Sequence, residues 1–187
     1  MRSIGDGLSD ITIQSASGTT VQLGAYTGNP LLVVGVRYYG CLPCLDFLGS
    51  VRDVYDEILR AGADVVAIGT GAHYQARHLM ETGTPFPCLI DPDTRVYGAL
   101  GARRLRPRSI LDGRNYRNYW RALVRRRAHQ GRMTGDSWQL PFVAVLNADG
   151  RLIHVYLGEA IGDYPPLGVV LGWLGLAEDS ACRSPTS

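Results

Sequence analysis

The sequence predicts an α/β fold, a single domain on a central mixed β-sheet flanked by helices. Three observations lead there. Leu31–Arg37 and Asp64–Gly69 are almost unbroken apolar runs, as suits strands buried on both faces. Between them Leu45, Leu48, Val51, Tyr55, Ile58 and Leu59 recur at steps of three and four, the period of a helix. Farther on, Phe142–Leu146 and Arg151–Leu157 flank the turn Asn147-Ala148-Asp149-Gly150 and read as a hairpin.

Taken in order, Thr20–Leu23 follows the turn-like Ser17-Gly18 and is a short strand. Leu31–Arg37 is the central strand, and the helix after it spans Cys44–Arg60, stopped by Ala61-Gly62. Asp64–Gly69 is a second buried strand, and Ala72–Thr82 a helix closed by Gly83. Phe86–Ile90 is a short strand, and Asp91-Pro92-Asp93 starts a helical turn that runs to Leu100. Leu111–Gln130 is a longer amphipathic helix, and the hairpin follows. Pro165–Gly175 is the last helix, with Pro166 tolerated in its first turn. The stretch 177–187 is polar and expected to be loose. Residues 103–138 form an Arg-rich helical insert within the one domain, 1–187.

Composition narrows the function classes. A chain of 187 residues buries about 70% of its unfolded surface and needs no disulfide staples. With 45% hydrophobic and 19% charged residues it is not a disordered chain, and four cysteines are too few for a disulfide scaffold. No apolar run approaches the ~18 residues of a membrane span. Met1–Gly7 lacks the apolar core of a secretory signal, so the expected setting is the reducing cytoplasm. The net charge of +2 hides an asymmetry. All 19 basic residues are arginine, and 11 of them lie between Arg103 and Arg132 against one acid, Asp112. That window carries +10 and the remainder −8.

Cys41-Leu42-Pro43-Cys44 carries the strongest chemical signal, because it stands between a buried strand and a helix start. Unpaired backbone N–H groups and the helix dipole there favour a thiolate on Cys41, and the thiolate is the nucleophilic form. Cys44, three residues on, is close enough to form a disulfide with it. Pro43 suits a helix start, where its missing N–H costs nothing. Two plainer readings stand beside redox chemistry. One is an inert structural pair. The other is a zinc knuckle, which needs a second ligand pair; Cys88 and Cys182 are isolated and His73 and His78 are five apart. Gly69-Thr70-Gly71 lacks the full dinucleotide fingerprint, because Tyr74 stands where its third glycine belongs.

The segment Arg37-Tyr38-Tyr39-Gly40-Cys41-Leu42-Pro43-Cys44 resembles the R-x-x-G-C-x-x-C active site of the peroxiredoxin-like branch of the thioredoxin superfamily, the alkyl hydroperoxide reductase/thiol-specific antioxidant group. Pro85-Phe86-Pro87-Cys88-Leu89-Ile90-Asp91-Pro92-Asp93 is similar to a stretch of the same group, and Leu140-Pro141 through Gly150 to its cis-proline strand and turn. The similarity runs from about Thr20 to Gly175, with the motifs in the same order. It implies a thioredoxin-like fold, a nucleophile at Cys41 and a resolving thiol at Cys44. It also implies a peroxide or disulfide substrate, a thioredoxin-type or small-thiol reductant, and no metal or organic cofactor. A threonine is usual in this group where Tyr38 stands here.

Around that pair, Arg37 is expected to stabilise a thiolate or oxyanion. Tyr39, Pro43, Leu140 and Pro141 are expected to line the substrate site. Cys88 is expected to be a small buried hydrophobe. Arg114, Arg117, Arg121 and Arg125 share one helix face, with an aromatic and aliphatic stripe on another. That helix reads as a solvated helix held by its aromatic stripe, a wall of the substrate site, or a dock for an acidic partner, a membrane surface or nucleic acid, the last ranking lowest because the remainder of the chain is acidic, so no nucleic-acid partner is expected. The functional expectation is a thiol-dependent oxidoreductase, with a homodimer possible within that class. Its alternatives are a reductase of one specific organic peroxide or endoperoxide in a biosynthetic pathway, or a redox-sensing or binding module that presents the basic helix to an acidic partner.

Overall fold

Seven strands form one mixed sheet in the order β2-β1-β5-β4-β3-β6-β7. The computed structural model describes residues 2–107, 112–126 and 130–176; the tail 177–187, with Cys182, lies outside them. β3 (Leu31–Val36), β4 (Asp64–Gly69) and β5 (Cys88–Ile90) run parallel. β6 (Phe142–Leu146) is antiparallel to β3, and β7 (Leu152–Leu157) is antiparallel to β6. On the far edge β1 (Thr12–Gln14) joins β2 (Thr20–Gln22) to β5, meeting it at Gln14 and Ile90. β1 has no counterpart in the sequence reading, because three residues are too short to show alternation.

The pleat divides the core into two layers. Leu32, Val34 and Val36 of β3 and Val143 and Val145 of β6 face one side, with Cys41, Cys44, Phe47 and Leu48. Leu31 and Val33 of β3 and Phe142, Ala144 and Leu146 of β6 face the other, with Val96, Tyr97 and Leu100. Gly35 must be glycine, since a Cβ there would sit 2.2 Å from the Phe142 ring. The expected helix Cys44–Arg60 is two helices, α1 (Leu42–Asp53) and α2 (Tyr55–Arg60). They part at Val54, whose N–H donates to Val51 O rather than four residues back. α3 (His73–Glu81) and α4 (Arg95–Leu100) follow β4 and β5; both carboxylate oxygens of Asp91 accept the opening N–H groups of α4 at 2.8 Å. In α6 (Leu167–Trp173) Pro166 is the cap rather than part of the first turn.

Two expectations are corrected here. No peptide bond among the described residues is cis, so Leu140–Pro141 is trans. Trans is the intrinsically favoured form by about 0.5–1 kcal/mol. It is compatible with the local ladder: Leu140 N–H donates to Arg103 O at 3.0 Å, and Pro141 O accepts from Gly158 N–H at 2.9 Å. The second concerns α5 (Gly113–Arg126), which packs on α1. It is held by Asn115, Asn118 and Ala122 and, of the expected aromatic stripe, by Tyr119 alone. Asn115 Oδ1 accepts from Ile161 N–H at 2.7 Å and Asn118 Nδ2 donates to Ile161 O at 2.9 Å, so the loop after β7 selects that face. Tyr116, Trp120, Leu123 and Val124 remain exposed.

Candidate active site

β3 ends in the helix α1, and the sharp link Arg37–Cys41 carries the chemistry. Cys41 N–H donates to Tyr38 O at 3.1 Å, which turns the chain, and Cys41 is the N-cap of α1. Pro43 lies in the first turn of α1. It packs against Gly162, where any Cβ would lie 2.3 Å from that of Pro43 and where φ is +66°.

The two sulfurs of Cys41 and Cys44 are free thiols 2.9 Å apart, and both residues are fully buried. Arg37 is buried beside them, with Nη1 3.9 Å from Cys41 Sγ and Nη2 donating to Ser137 O. Its Nε has no hydrogen-bond partner. Burial opposes the charge on Arg37, but the two thiols and the tyrosines Tyr119 and Tyr38 hold its pKa above the ordinary value. Arg37 also bonds the Tyr119 hydroxyl, which burial beside the pair pushes up to about 12. The hydroxyl of Tyr164 stands in hydrogen-bond contact with Cys44 and 3.1 Å from Gly35 O, and its ring stacks on Phe47 at 4.2 Å.

The thiols titrate as a pair. Burial resists ionisation of Cys44, but the hydrogen bonds from Cys41 and Tyr164 and the charge of Arg37 outweigh it and bring its thiol down to about 7. Burial, with the hydrogen bond to and the charge on Cys44, pushes Cys41 well up. The upward direction at Cys41 is the reverse of what the helix dipole alone predicts. With water excluded, the dipole is opposed by a larger desolvation cost.

A strap formed by residues 130–139 closes the site. Gln130 Oε1 accepts the otherwise unpaired N–H of Leu42 at 3.1 Å, while its Nε2 reaches Tyr38 Oη at 2.7 Å and Gly40 O at 2.8 Å. Gly131 N–H donates to Gly40 O at 2.8 Å. A Cβ on Gly40 would lie 2.8 Å from Arg132 O, so the close approach needs glycine.

Of the residues expected at the site, Arg37, Cys41 and Cys44 come together, with Pro43 on the same turn. Leu140 is buried in the same core layer as the cysteines, and buried Pro141 leads into β6. The hydroxyl proton of Tyr39 is taken up by Ala67 O and Leu89 O, at 3.1 and 2.7 Å. Tyr38 stands beside Arg37, its ring centroid 5.7 Å from the guanidinium. Sequence reasoning missed Gln130, Tyr119 and Tyr164, which join the site only through the folded chain. Cys88 is buried in β5, and burial pushes its thiol up to about 12. Among the described residues, no three His, Cys, Asp or Glu side chains cluster as a metal site.

Comparison with known proteins agrees with this architecture. No curated protein matches the sequence. Peroxidoxin BcpB from Mycobacterium tuberculosis superposes with a TM-score of 0.60 at 18% identity, over 97% of this chain and 98% of that one. Peroxiredoxin Q from Xanthomonas campestris superposes with a TM-score of 0.59 at 15% identity, over 90% and 89%. Both likenesses show the thioredoxin-like fold. The family model of the AhpC/TSA antioxidant enzymes matches residues 51–159, beginning inside α1 just downstream of the cysteine pair. With more than half of its length matched, the chain belongs to the AhpC/TSA antioxidant family and is a peroxiredoxin-like thiol oxidoreductase.

Proposed function

We propose that the protein reduces a peroxide or disulfide with the Cys41–Cys44 dithiol. The reading rests on one observation: two free sulfurs 2.9 Å apart at a helix start, facing a buried arginine with an unpartnered Nε. Displacement of the strap and α5 solvates Cys41 and removes the burial that raises its pKa, so the charge moves along the S–H···S contact to Cys41. Cys41 attacks one oxygen of the O–O bond. The bond breaks, the alcohol leaves with a proton, and Cys41 becomes a sulfenic acid. Cys44 then attacks that sulfur, hydroxide leaves as water, and the disulfide forms. With a disulfide substrate the intermediate is a mixed disulfide, released by the same attack. Arg37 Nε supplies a donor for the departing oxyanion. An external dithiol or two small thiols return the two electrons, and no organic cofactor is needed.

The test is a thiol titration before and after one equivalent of an organic hydroperoxide or a model disulfide, with Cys41→Ser and Cys44→Ser. Two thiols are expected to vanish in the native protein. Cys44→Ser should trap a sulfenic acid or mixed disulfide at Cys41, whereas Cys41→Ser should remain unreacted. Capture at Cys44 in Cys41→Ser, with none at Cys41 in Cys44→Ser, reverses the roles. No thiol loss with either oxidant overturns the reading.

A further inference from the structure

α5 presents three faces. Asn115, Asn118, Tyr119 and Ala122 point into the protein. Tyr116, Trp120, Leu123 and Val124 form an exposed apolar ridge on one flank, with Trp120 68% and Tyr116 64% accessible. Arg114, Arg117 and Arg121 are exposed on the other flank. Large apolar side chains occur singly on most surfaces, but four on one helix turned away from the body call for a partner. Tyr116, Trp120 and Leu123 of the ridge line a shallow depression of about 550 Å³ with Leu42, Arg117 and Tyr119.

Charge selects the occupant. The segment 103–132 that contains α5 carries 11 arginines against one acid. Arg114 is paired to Asp112 and Glu159, and Arg121 stands 3.9 Å from Asp46, but Arg117 has no ion pair among the described residues. A second copy of the chain would bring two arginine flanks together and repel itself. A lipid surface admits a convex ridge by insertion, takes tryptophan and tyrosine at its interface, and offers phosphates to flanking guanidiniums. We infer that α5 docks the protein on an anionic phospholipid bilayer, ridge inserted and arginines at the headgroups, with Leu42 of the first turn of α1 beside the lipid. The docking does not depend on the redox reading, so Cys41→Ser should dock equally.

The experiment is sedimentation of the full chain with phosphatidylcholine vesicles, with and without 30% phosphatidylglycerol. The expected result is binding to the anionic vesicles alone, weakening at least tenfold from 50 to 500 mM salt. Trp120 emission should shift to the blue on binding, and the shift should be absent in Trp120→Phe. Trp120→Glu with Leu123→Glu should weaken binding at least 100-fold, and Arg117→Ala about fivefold. Both positions are exposed, and unchanged circular dichroism would show that the variants fold. The proposal is overturned by absence of binding at 50 mM salt, or by equal binding of the double glutamate variant. A poly-glutamate chain that binds as tightly as the vesicles would assign the face to an acidic protein. A vesicle-free dimer that Trp120→Glu dissolves would assign it to a second copy.

Discussion

Cys88 and Cys44 are equally buried, in the same core layer, yet their thiols move in opposite directions. Cys88 rises to about 12, with burial its cause. Cys44 falls to about 7 because Cys41, Tyr164 and Arg37 face it. Burial alone makes a thiol inert, and the same burial strengthens any donor or cation placed beside it. The difference lies in the partners, which come from two separate places in the chain: Arg37 and Cys41 from the β3–α1 link and Tyr164 from the loop before α6.

The largest way to break that contrast is to remove the partner sulfur. Thiolate absorbance near 240 nm needs no reagent access and should rise by one thiolate through about pH 7 in the native protein. The sign follows from the depressed value: ionisation is favoured as pH rises through 7, where half of Cys44 is charged, against about 1% of a thiol at 9.0. At the same pH Cys88 is ionised to roughly one part in 10⁵. Cys41→Ala should move the transition above about 9, whereas Cys88→Ala should leave it in place. A native transition that stays near 9 breaks the comparison outright. Next in size is Arg37→Met. Losing a cation that faces both sulfurs should raise the midpoint by about one unit, equivalent to about 1.4 kcal/mol. An unchanged midpoint would leave the hydrogen bonds as the whole cause.

What the sequence shows of this site is what is local. A strand, two cysteines three apart and a helix start lie within one short window, and β3, β4 and the hairpin read directly from their apolar runs. The remainder is long-range. Gln130 reaches Leu42 from 88 residues away, and Asn118 is drawn inward by Ile161, 43 residues on. No periodicity signals that a helix with an aromatic stripe will bury its asparagines. Tyr38 and Tyr39 are chemically alike, and only the carbonyls of Ala67 and Leu89 decide which one turns under the sheet.

Gln130 sharpens the comparison at its outer edge. Gln130→Leu keeps the approximate shape but strands the Leu42 N–H and the Tyr38 hydroxyl, at a cost of about 1–3 kcal/mol. The strap should open more often, so reaction of the pair with a small thiol reagent should quicken several-fold while Cys88 stays silent. Equal protection of both sites in the variant would mean that α5 alone closes the mouth. The smallest effect belongs to Arg104, whose guanidinium pairs with Asp136 at the far end of the same strap. Arg104 is exposed and Asp136 partly so, and such pairs contribute about 0–1 kcal/mol. Arg104→Ala should lower the melting temperature by a few degrees at most and leave the 240 nm midpoint unmoved. Asp136 keeps the strap anchored without it, since its N–H donates to Thr70 Oγ1 at 3.0 Å. A shift of the midpoint would show that a solvent-facing charge reaches the sulfurs through the strap, and the buried partners would then not be the sole cause of the difference between the two thiols.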